Sequence, residues 1–331
     1  MSFFAILFAL LIEQVRPLAP RNPVYAGMLA WTRWVSRNFD AGRDHHGWIA
    51  WSLTVLVPSV AAALLHIGLD IGLGWPLAML WNVVVLYFTL GFRQFSHHFT
   101  AIREALDAGD EDQARAQLAE WQQVEVADLP RSELLRHVIE YSVLAAHRHV
   151  FGVLAAYCIF AVLGLGPAGA VFYRMAEFAS RYWWRQSRQH PVSDALQDAA
   201  SLAWARIDWL PARITALAFA VVGSFEEAID CWRHHAQRFP NDNDGVVLAA
   251  TSGAVDVRLG GEALRSAYSA GPGPGGWPEG GPPSATSEDS ESTPGREAEP
   301  AHLRSVVGLV WRSVVLWMVL LALLTLARLL G

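Results

Sequence analysis

Four long stretches of this chain carry almost no charged side chains, and this feature limits the folds that are open to it. Two of them, 47–69 and 71–92, are separated by Asp70; a third, 150–173, is uncharged; and a fourth, 306–330, contains two arginines. The hydrocarbon core of a bilayer is about 30 Å thick and needs roughly 20 apolar helical residues to cross it. The stretches therefore predict an all-α, polytopic helical membrane protein.

The N-terminal half divides into three predicted segments. Residues 1–46 should form a short partial or interfacial helix followed by an arginine-bearing loop, and residues 47–92 should form two transmembrane helices. Residues 93–149 have apolar side chains at helical spacing on both sides of Gly109, and Asp110 can cap the second helix. This pattern predicts a soluble helical hairpin.

The C-terminal half alternates between apolar and polar segments. Residues 150–223 contain clustered glycines and Pro167, which predict a broken transmembrane segment (two helices meeting at a bend, or a re-entrant hairpin), then an Arg-rich loop and a further apolar helix. Residues 224–270 should be soluble and helical. Residues 271–305 are rich in Gly, Pro and acidic side chains, which predicts a disordered linker. A C-terminal transmembrane helix over 306–331 follows.

Charge and motif content argue against several classes of function. The net charge is −6 and the arginines are scattered, so a nucleic-acid partner is not expected. The chain has no nucleotide-binding glycine loop and no metal-ligand spacing, and its paired histidines are adjacent, where they cannot share a helix face. We therefore expect no bound metal or cofactor. A transporter is a weaker alternative because no inverted repeat is apparent.

Charged residues at the membrane edges are the candidate binding residues. Ionisable groups near lipid are costly, so they usually form pairs or line a polar cavity. Arg148, Arg174 and Arg213 could bind a phosphate or carboxylate through their guanidinium groups, and Asp208 precedes the apolar helix that contains Arg213. The same residues could instead form interhelical salt bridges or extend to the headgroups. The sequence leaves both interpretations open.

Several segments keep the order and residue types of one known family. They are residues 21–27, 86–90, 98–115, 166–174 with Gly166-Pro167-Ala168-Gly169, 210–217 with Leu210-Pro211-Ala212-Arg213, and the stretch from Asn241 to Val257-Arg258-Leu259-Gly260-Gly261. Together they resemble the CobD/CbiB family of cobalamin-biosynthesis membrane proteins. The resemblance covers most of the chain, so it is more specific than any one motif.

The resemblance implies a multi-pass protein of the bacterial inner membrane that acts late in cobalamin biosynthesis. Synthase-type members are implied to join an aminopropanol unit to a corrinoid carboxylate, giving adenosylcobinamide or its phosphate. A corrinoid substrate, and a nucleotide with Mg²⁺, would then be partners. The resemblance implies that Arg148, Arg174, Arg213 and Arg258 would hold phosphate or propionate groups. Asp208 is a further candidate ligand-binding residue, and no catalytic residue is assigned.

The chain also departs from the synthase pattern. Residues 146–150 replace a Glu-Asn-Thr-x-Asp stretch, residues 122–125 replace a Gly-Arg-Asp-Thr element, and only Glu13 and Gln14 remain of an acidic N-terminal pattern. Whether the chain is an enzyme is therefore open. The AmpE-like proteins, linked to β-lactamase regulation, form a related branch that also lacks these elements. The alternative is thus a non-catalytic membrane modulator with membrane-protein partners.

Overall fold

The computed structural model describes residues 2–16, 18, 22–122, 131–187, 192–239, 241–261 and 292–330. These residues are mainly α-helical, and the only β-pairing within them consists of isolated bridges between residues 257–260 and 292–296. The all-α prediction is therefore confirmed. The chain divides into two compact units. The first unit contains Met1–Gln94, Arg148–Pro211 and Trp317–Gly331, and the second contains Phe95–His147 and Ala212–Leu316.

The helices follow one another with short connections. A π-helical turn, His147–Phe151, joins α7 to α8, and a 3-10 turn, Ala236–Arg238, follows α12. In chain order the α-helices are α1 (Ser2–Val15), α2 (Pro23–Phe39), α3 (Asp44–Leu73), α4 (Trp75–Thr89), α5 (Phe92–Asp107), α6 (Glu111–Gln122), α7 (Arg131–Ala146), α8 (Gly152–Val162), α9 (Ala168–Ser187), α10 (Asp194–Ile207), α11 (Trp209–Val222), α12 (Phe225–His235), α13 (Asp242–Val255) and α14 (Pro300–Leu330).

Three helical stretches in the described part of the chain are long and apolar enough to cross a membrane. They are Asp44–Leu73, Ser132–Val162 and Pro300–Ala327. Many of the large apolar side chains of α3 and α14 are exposed, as expected of helices that contact lipid. These helices are those expected of a membrane protein.

The second predicted span, 71–92, is shorter than expected. Gly74 has φ +86° and Pro76 lies in the first turn of α4, so α3 ends at Leu73 and α4 has only 15 residues. At 1.5 Å per residue, α4 is about 22 Å long, less than the hydrocarbon thickness. Gly74 and Pro76 therefore interrupt the stretch that hydropathy predicts as a second full crossing.

The third predicted span is displaced along the chain. Residues 132–149 were expected to be soluble, but they belong to the candidate span Ser132–Val162, which is mostly buried in protein. At its other end, α8 stops before the turn that contains Gly164 and Gly166, both with positive φ, and α9 begins after it. Two helices joined by this turn therefore lie where the sequence predicts a broken segment over 150–173.

Other boundaries differ from the sequence predictions as well. The helical hairpin is confirmed as α5 and α6, with the N–H of Gln113 donating to Oδ1 of Asp110 at 2.9 Å. Where the sequence predicts an Arg-rich loop, the described residues are helical in α9 and α10, and Arg174 and Arg181 pair with Glu177 along α9. Residues 123–125, 262–270 and 271–291 lie outside the described residues. The rest of the predicted linker is hydrogen-bonded to residues 256–259 and then enters α14 at Pro300.

Close helix contacts hold the first unit together. In it, α3 packs against α2, α4, α9 and α10, and α9 packs against α8 and α10. A Cβ atom at Gly47 would overlap the backbone of Ala195, and one at Gly169 would overlap the backbone of Ala156. Small residues let helix backbones approach closely in membrane proteins. The glycines are therefore needed for the packing of α3 on α10 and of α8 on α9.

The second unit is organised around α13, which packs against α7, α12 and the 3-10 turn. After α13, residues 257–260 lie beside residues 292–296. The N–H of Arg258 donates to the carbonyl of Arg296 at 2.7 Å, and the N–H of Thr293 donates to the carbonyl of Leu259 at 2.8 Å. Two segments that are distant in sequence thus form one ordered connection.

Candidate functional site

The main polar cluster of the first unit lies on one face of α9. Arg174, Glu177 and Arg181 are three and four residues apart, so their side chains share that face. Nη1 of Arg174 donates to Oε2 of Glu177 at 3.0 Å, and Nη1 of Arg181 lies 3.4 Å from Oε1. Only 3% of the Glu177 side chain is exposed, so two guanidinium groups compensate a buried charge. We call Arg148, His149, Arg174, Glu177 and Arg181 the α9 cluster.

His149 contributes a neutral acceptor to the α9 cluster. Nη1 of Arg174 lies 2.5 Å from Nδ1 of His149. A guanidinium group can only donate hydrogen bonds, so Nδ1 must accept. This geometry assigns the imidazole proton to Nε2. The histidine therefore adds no positive charge beside the two arginines.

Arg148 and Asp208, both predicted from the sequence, also lie in this region of the first unit. Arg148 is half-buried in the π-helical turn and interacts electrostatically with Tyr173 and Glu177. The hydroxyl of Tyr173 donates a 2.7 Å hydrogen bond to Oδ1 of Asp208, and both side chains are buried. The structure thus brings Arg148, Arg174 and Asp208 together.

The two arginines on α9 determine the charge of Glu177. Burial raises the pKa of this carboxyl group, but Arg181 and Arg174 outweigh burial and lower the pKa to about 2, below its ordinary value of 4.5. Glu177 is therefore ionised at neutral pH and attracts both guanidinium groups. With two guanidinium groups for one carboxylate, this face of α9 keeps a positive charge that suits an oxyanion.

The other two predicted arginines lie in the second unit. Arg213, on α11, donates to Oδ1 of Asn243 on α13 at 3.1 Å. This hydrogen bond joins α11 to α13. Arg258 is exposed in the segment after α13. It remains a candidate binding residue by resemblance alone.

A buried carboxylate, Glu140, fixes the segment that contains Arg258. Oε1 of Glu140 accepts the N–H of Gly260 at 2.6 Å, and Nε of Arg136 lies 3.9 Å away. A Cβ atom at Gly261 would lie 2.9 Å from Nη1 of Arg136, so the glycine permits the guanidinium group to pack on the backbone. Glu140 therefore joins α7 to a segment that begins over a hundred residues later.

Sequence reasoning missed Glu177 and Arg181, and it gave Glu140 and His149 no assigned role. The charged residues of α9 recur at helical spacing, and this signal could have identified them. No local pattern indicates that Glu140 accepts a bond from Gly260. The acceptor role of His149 likewise depends on a distance between two helices.

The described residues do not suit a resident Mg²⁺ ion. They contain no group of three or more His, Cys, Asp or Glu side chains that could hold a metal. Mg²⁺ prefers several oxygen ligands, whereas Glu177 is paired with arginines and Asp208 accepts from Tyr173. The donors of the α9 cluster fit an anion instead.

Comparison with known proteins gives a consistent result. Residues 3–272 match the family model described as CobD/Cbib protein. The cobalamin biosynthesis protein CobD of Stutzerimonas stutzeri strain A1501 is 29% identical over 328 residues, which cover 96% of each chain. CobD of Chromobacterium violaceum is 30% identical over 187 residues, 55% of each chain. CobD of Mycobacterium tuberculosis is 47% identical over 68 residues, 18% of this chain and 22% of that protein.

No solved structure matches the chain. The match to the family model nevertheless includes helices of both units, from α1 through α13. The similarity to the Stutzerimonas stutzeri protein extends over nearly all of both chains. The chain belongs to the CobD/CbiB family.

Proposed function

We propose that this chain acts in cobalamin biosynthesis, at the step that joins an aminopropanol unit to a corrinoid carboxylate through an amide bond. One observation carries the proposal. The relative named cobalamin biosynthesis protein CobD aligns over 96% of each chain, so the similarity covers the whole scaffold and is not confined to one motif. The comparisons do not favour the AmpE-like alternative.

The α9 cluster supports this proposal because the reaction involves anionic partners. Corrinoid carboxylates, and the phosphate of an aminopropanol phosphate, are oxyanions that guanidinium groups bind through paired hydrogen bonds. In the proposal, Arg148 and Arg174 bind such a group, and Asp208 supports the site through its bond to Tyr173. Arg213 and Arg258 are assigned to propionate or phosphate groups in the same way. No described residue is assigned as the catalytic base.

A nucleotide with Mg²⁺ enters this proposal only as a co-substrate. Its chemical contribution would be to activate the carboxylate for attack by the amine. No described residue is assigned to the metal, because the carboxylates of the first unit's polar cluster are already paired. The residues named above bind and orient anionic groups.

We also propose that the protein resides in the bacterial inner membrane with several crossings. The supporting observation is the presence of three long apolar stretches, in α3, across α7 and α8, and in α14. Cell fractionation tests the location, since the chain should sediment with inner-membrane markers and need detergent for release. Recovery in the soluble fraction would contradict it.

The decisive experiment is a synthesis assay with the full chain in detergent. The protein is supplied with adenosylcobyric acid, nucleotide, Mg²⁺ and either aminopropanol or its phosphate, and amide products are identified by mass spectrometry. We expect product with the unaltered chain and a large loss with Arg174→Gln. Absence of product, while a known synthase is active in the same buffer, would overturn the enzymatic proposal and favour a non-catalytic role.

A further inference from the structure

We propose that Arg181 is a further ligand-binding arginine of the α9 cluster, in addition to Arg148 and Arg174, and that Glu177 is its positioning residue. The ligand class is an oxyanion, either a carboxylate or a phosphate. The identity of that oxyanion as a substrate group rests on the proposed function, whereas the binding geometry does not. Neither residue was among the sequence candidates.

The exposure of the three side chains differs in a way that separates their roles. Glu177 is 3% exposed, Arg174 is 16% exposed and Arg181 is 30% exposed. Arg181 is therefore the most accessible of these three side chains. Arg174 is the buried member, and Glu177 connects the two arginines.

Hydrogen bonding separates the two arginines further. Nη1 of Arg174 contacts both His149 and Glu177, at 2.5 and 3.0 Å. Arg181 has a single ion pair within the described residues, at 3.4 Å to Glu177. A guanidinium group has five N–H donors arranged as a fork. Arg181 thus keeps donors that can bind both oxygens of a carboxylate or phosphate.

The charge balance on α9 also favours an anion beside Arg181. Glu177 carries one negative charge and can neutralise only one of its two arginines, and His149 is neutral because Nδ1 accepts from Arg174. A partly buried charge without a counter-charge is unfavourable. An oxyanion at Arg181 would complete the pairing.

Aromatic contacts hold the adjacent face of α9 rigid. The rings of Tyr25 and Phe178 pack edge to face with centroids 5.6 Å apart, and Phe178 stacks on Tyr182 at 5.8 Å. Nε of Arg33 donates to the hydroxyl of Tyr182 at 2.9 Å. These contacts connect α9 to α2, so Arg181 extends from a helix that is already positioned. Such pre-organisation lowers the cost of binding.

The first test measures anion binding directly. The full chain in detergent is unfolded by heat, and tryptophan fluorescence is recorded with inorganic phosphate, aminopropanol phosphate or aminopropanol. We expect the phosphate compounds, but not aminopropanol, to raise the melting temperature. Arg181→Gln should weaken this binding by about tenfold or more, because the variant loses charge-assisted hydrogen bonds to the anion.

The matched control is Arg115→Gln, which removes another ion-paired, partly exposed arginine, located on α6. It should bind like the unaltered chain, and Arg181→Lys should lie between the two because it keeps the charge but loses the fork. No stabilisation of the unaltered chain by any of these anions, or equal binding by the Gln variant, would overturn the inference.

Two further probes identify the source of the oxyanion. Arg181-dependent binding of adenosylcobyric acid would assign the site to the corrinoid carboxylates, and such binding of aminopropanol phosphate would assign it to the amine substrate. If only micelles containing phosphatidylglycerol stabilise the chain, the site binds a lipid phosphate. That result would overturn the role of Arg181 in binding a substrate.

The positioning role of Glu177 has its own readout. Glu177→Gln should raise KM for the anionic substrate with little change in kcat, because it weakens binding equally in the ground and transition states. A lower kcat at unchanged KM would contradict this role.

If the unaltered chain makes no amide but binds phosphate through Arg181, only the proposed reaction fails. If synthesis is normal and Arg181→Gln binds every probe, only this inference fails.

Discussion

Gly152 packs directly against Tyr173, and replacing this glycine with alanine should disrupt the polar cluster of the first unit. A Cβ atom at Gly152 would overlap Oη and Cζ of the tyrosine ring. The same Oη donates the 2.7 Å hydrogen bond to buried Asp208. The ring therefore cannot move away from the new methyl group without lengthening or breaking that bond.

The expected cost of Gly152→Ala has two parts. Overpacking a close contact costs about 1–3 kcal/mol, and a buried polar group that loses its partner costs about 1–3 kcal/mol more. Tyr173→Phe removes only the hydroxyl and should incur the second part alone. At roughly 2–4 °C per kcal/mol, a summed cost of about 2–6 kcal/mol should lower the melting temperature of the alanine variant by about 4–24 °C.

Thermal unfolding in detergent, followed by tryptophan fluorescence, measures this effect. The control is Gly68→Ala in α3, where an added Cβ atom has no neighbour within 4 Å and the melting temperature should change little. Removing the ring with Tyr173→Ala should make a second change at Gly152 harmless, so the two effects should not add. A Gly152→Ala variant that melts with the unaltered chain would refute the reasoning.

Three further predictions follow from other contacts. Thr293→Val should lower the free energy of unfolding by about 1–3 kcal/mol, because the threonine hydroxyl accepts from the N–H of Leu259 and donates to the carbonyl of Leu259. An unchanged melting temperature would contradict this prediction. Glu140→Ala should destabilise more than Glu140→Gln, since glutamine keeps an oxygen that can accept the N–H of Gly260; equal melting of the two variants would refute this role. The lowered pKa of Glu177 adds stability at neutral pH that declines as the pH falls from 4.5 toward about 2, so Glu177→Gln should show a shallower acid dependence in that window.

The sequence was sufficient to predict the long apolar helices because lipid imposes a local rule. A helix in hydrocarbon must satisfy its own backbone and present apolar side chains, so the pattern along the chain identifies it. This rule identified α3 and α14. It failed for residues 132–149, because counting charges treats Glu140 as facing water, whereas the side chain is buried against Gly260. That contact depends on the fold and is not visible in a local window.

The candidate site was predictable to a smaller extent. The cost of placing charge near lipid drew attention to Arg148, Arg174 and Asp208, which lie in the same region of the first unit. The same reasoning treated the residues after Arg174 as a loop. The pairing of Glu177 with both Arg174 and Arg181 required α9 to continue as a helix, and the dense charge in this stretch concealed that continuity.

The energetics of α9 indicate the role of its charged side chains. The attraction between Glu177 and its two arginines is reduced by the desolvation of the charged groups, and the net effect still favours the ionised carboxylate. The packing of α9 on α8 is supported separately, by the contacts of Gly169 with Ala156 and of Gly152 with Tyr173. One arginine is enough to neutralise the Glu177 carboxylate, so the second leaves an excess positive charge on this face of α9. The additional positive charge of Arg181 is therefore best explained by an anion that binds there.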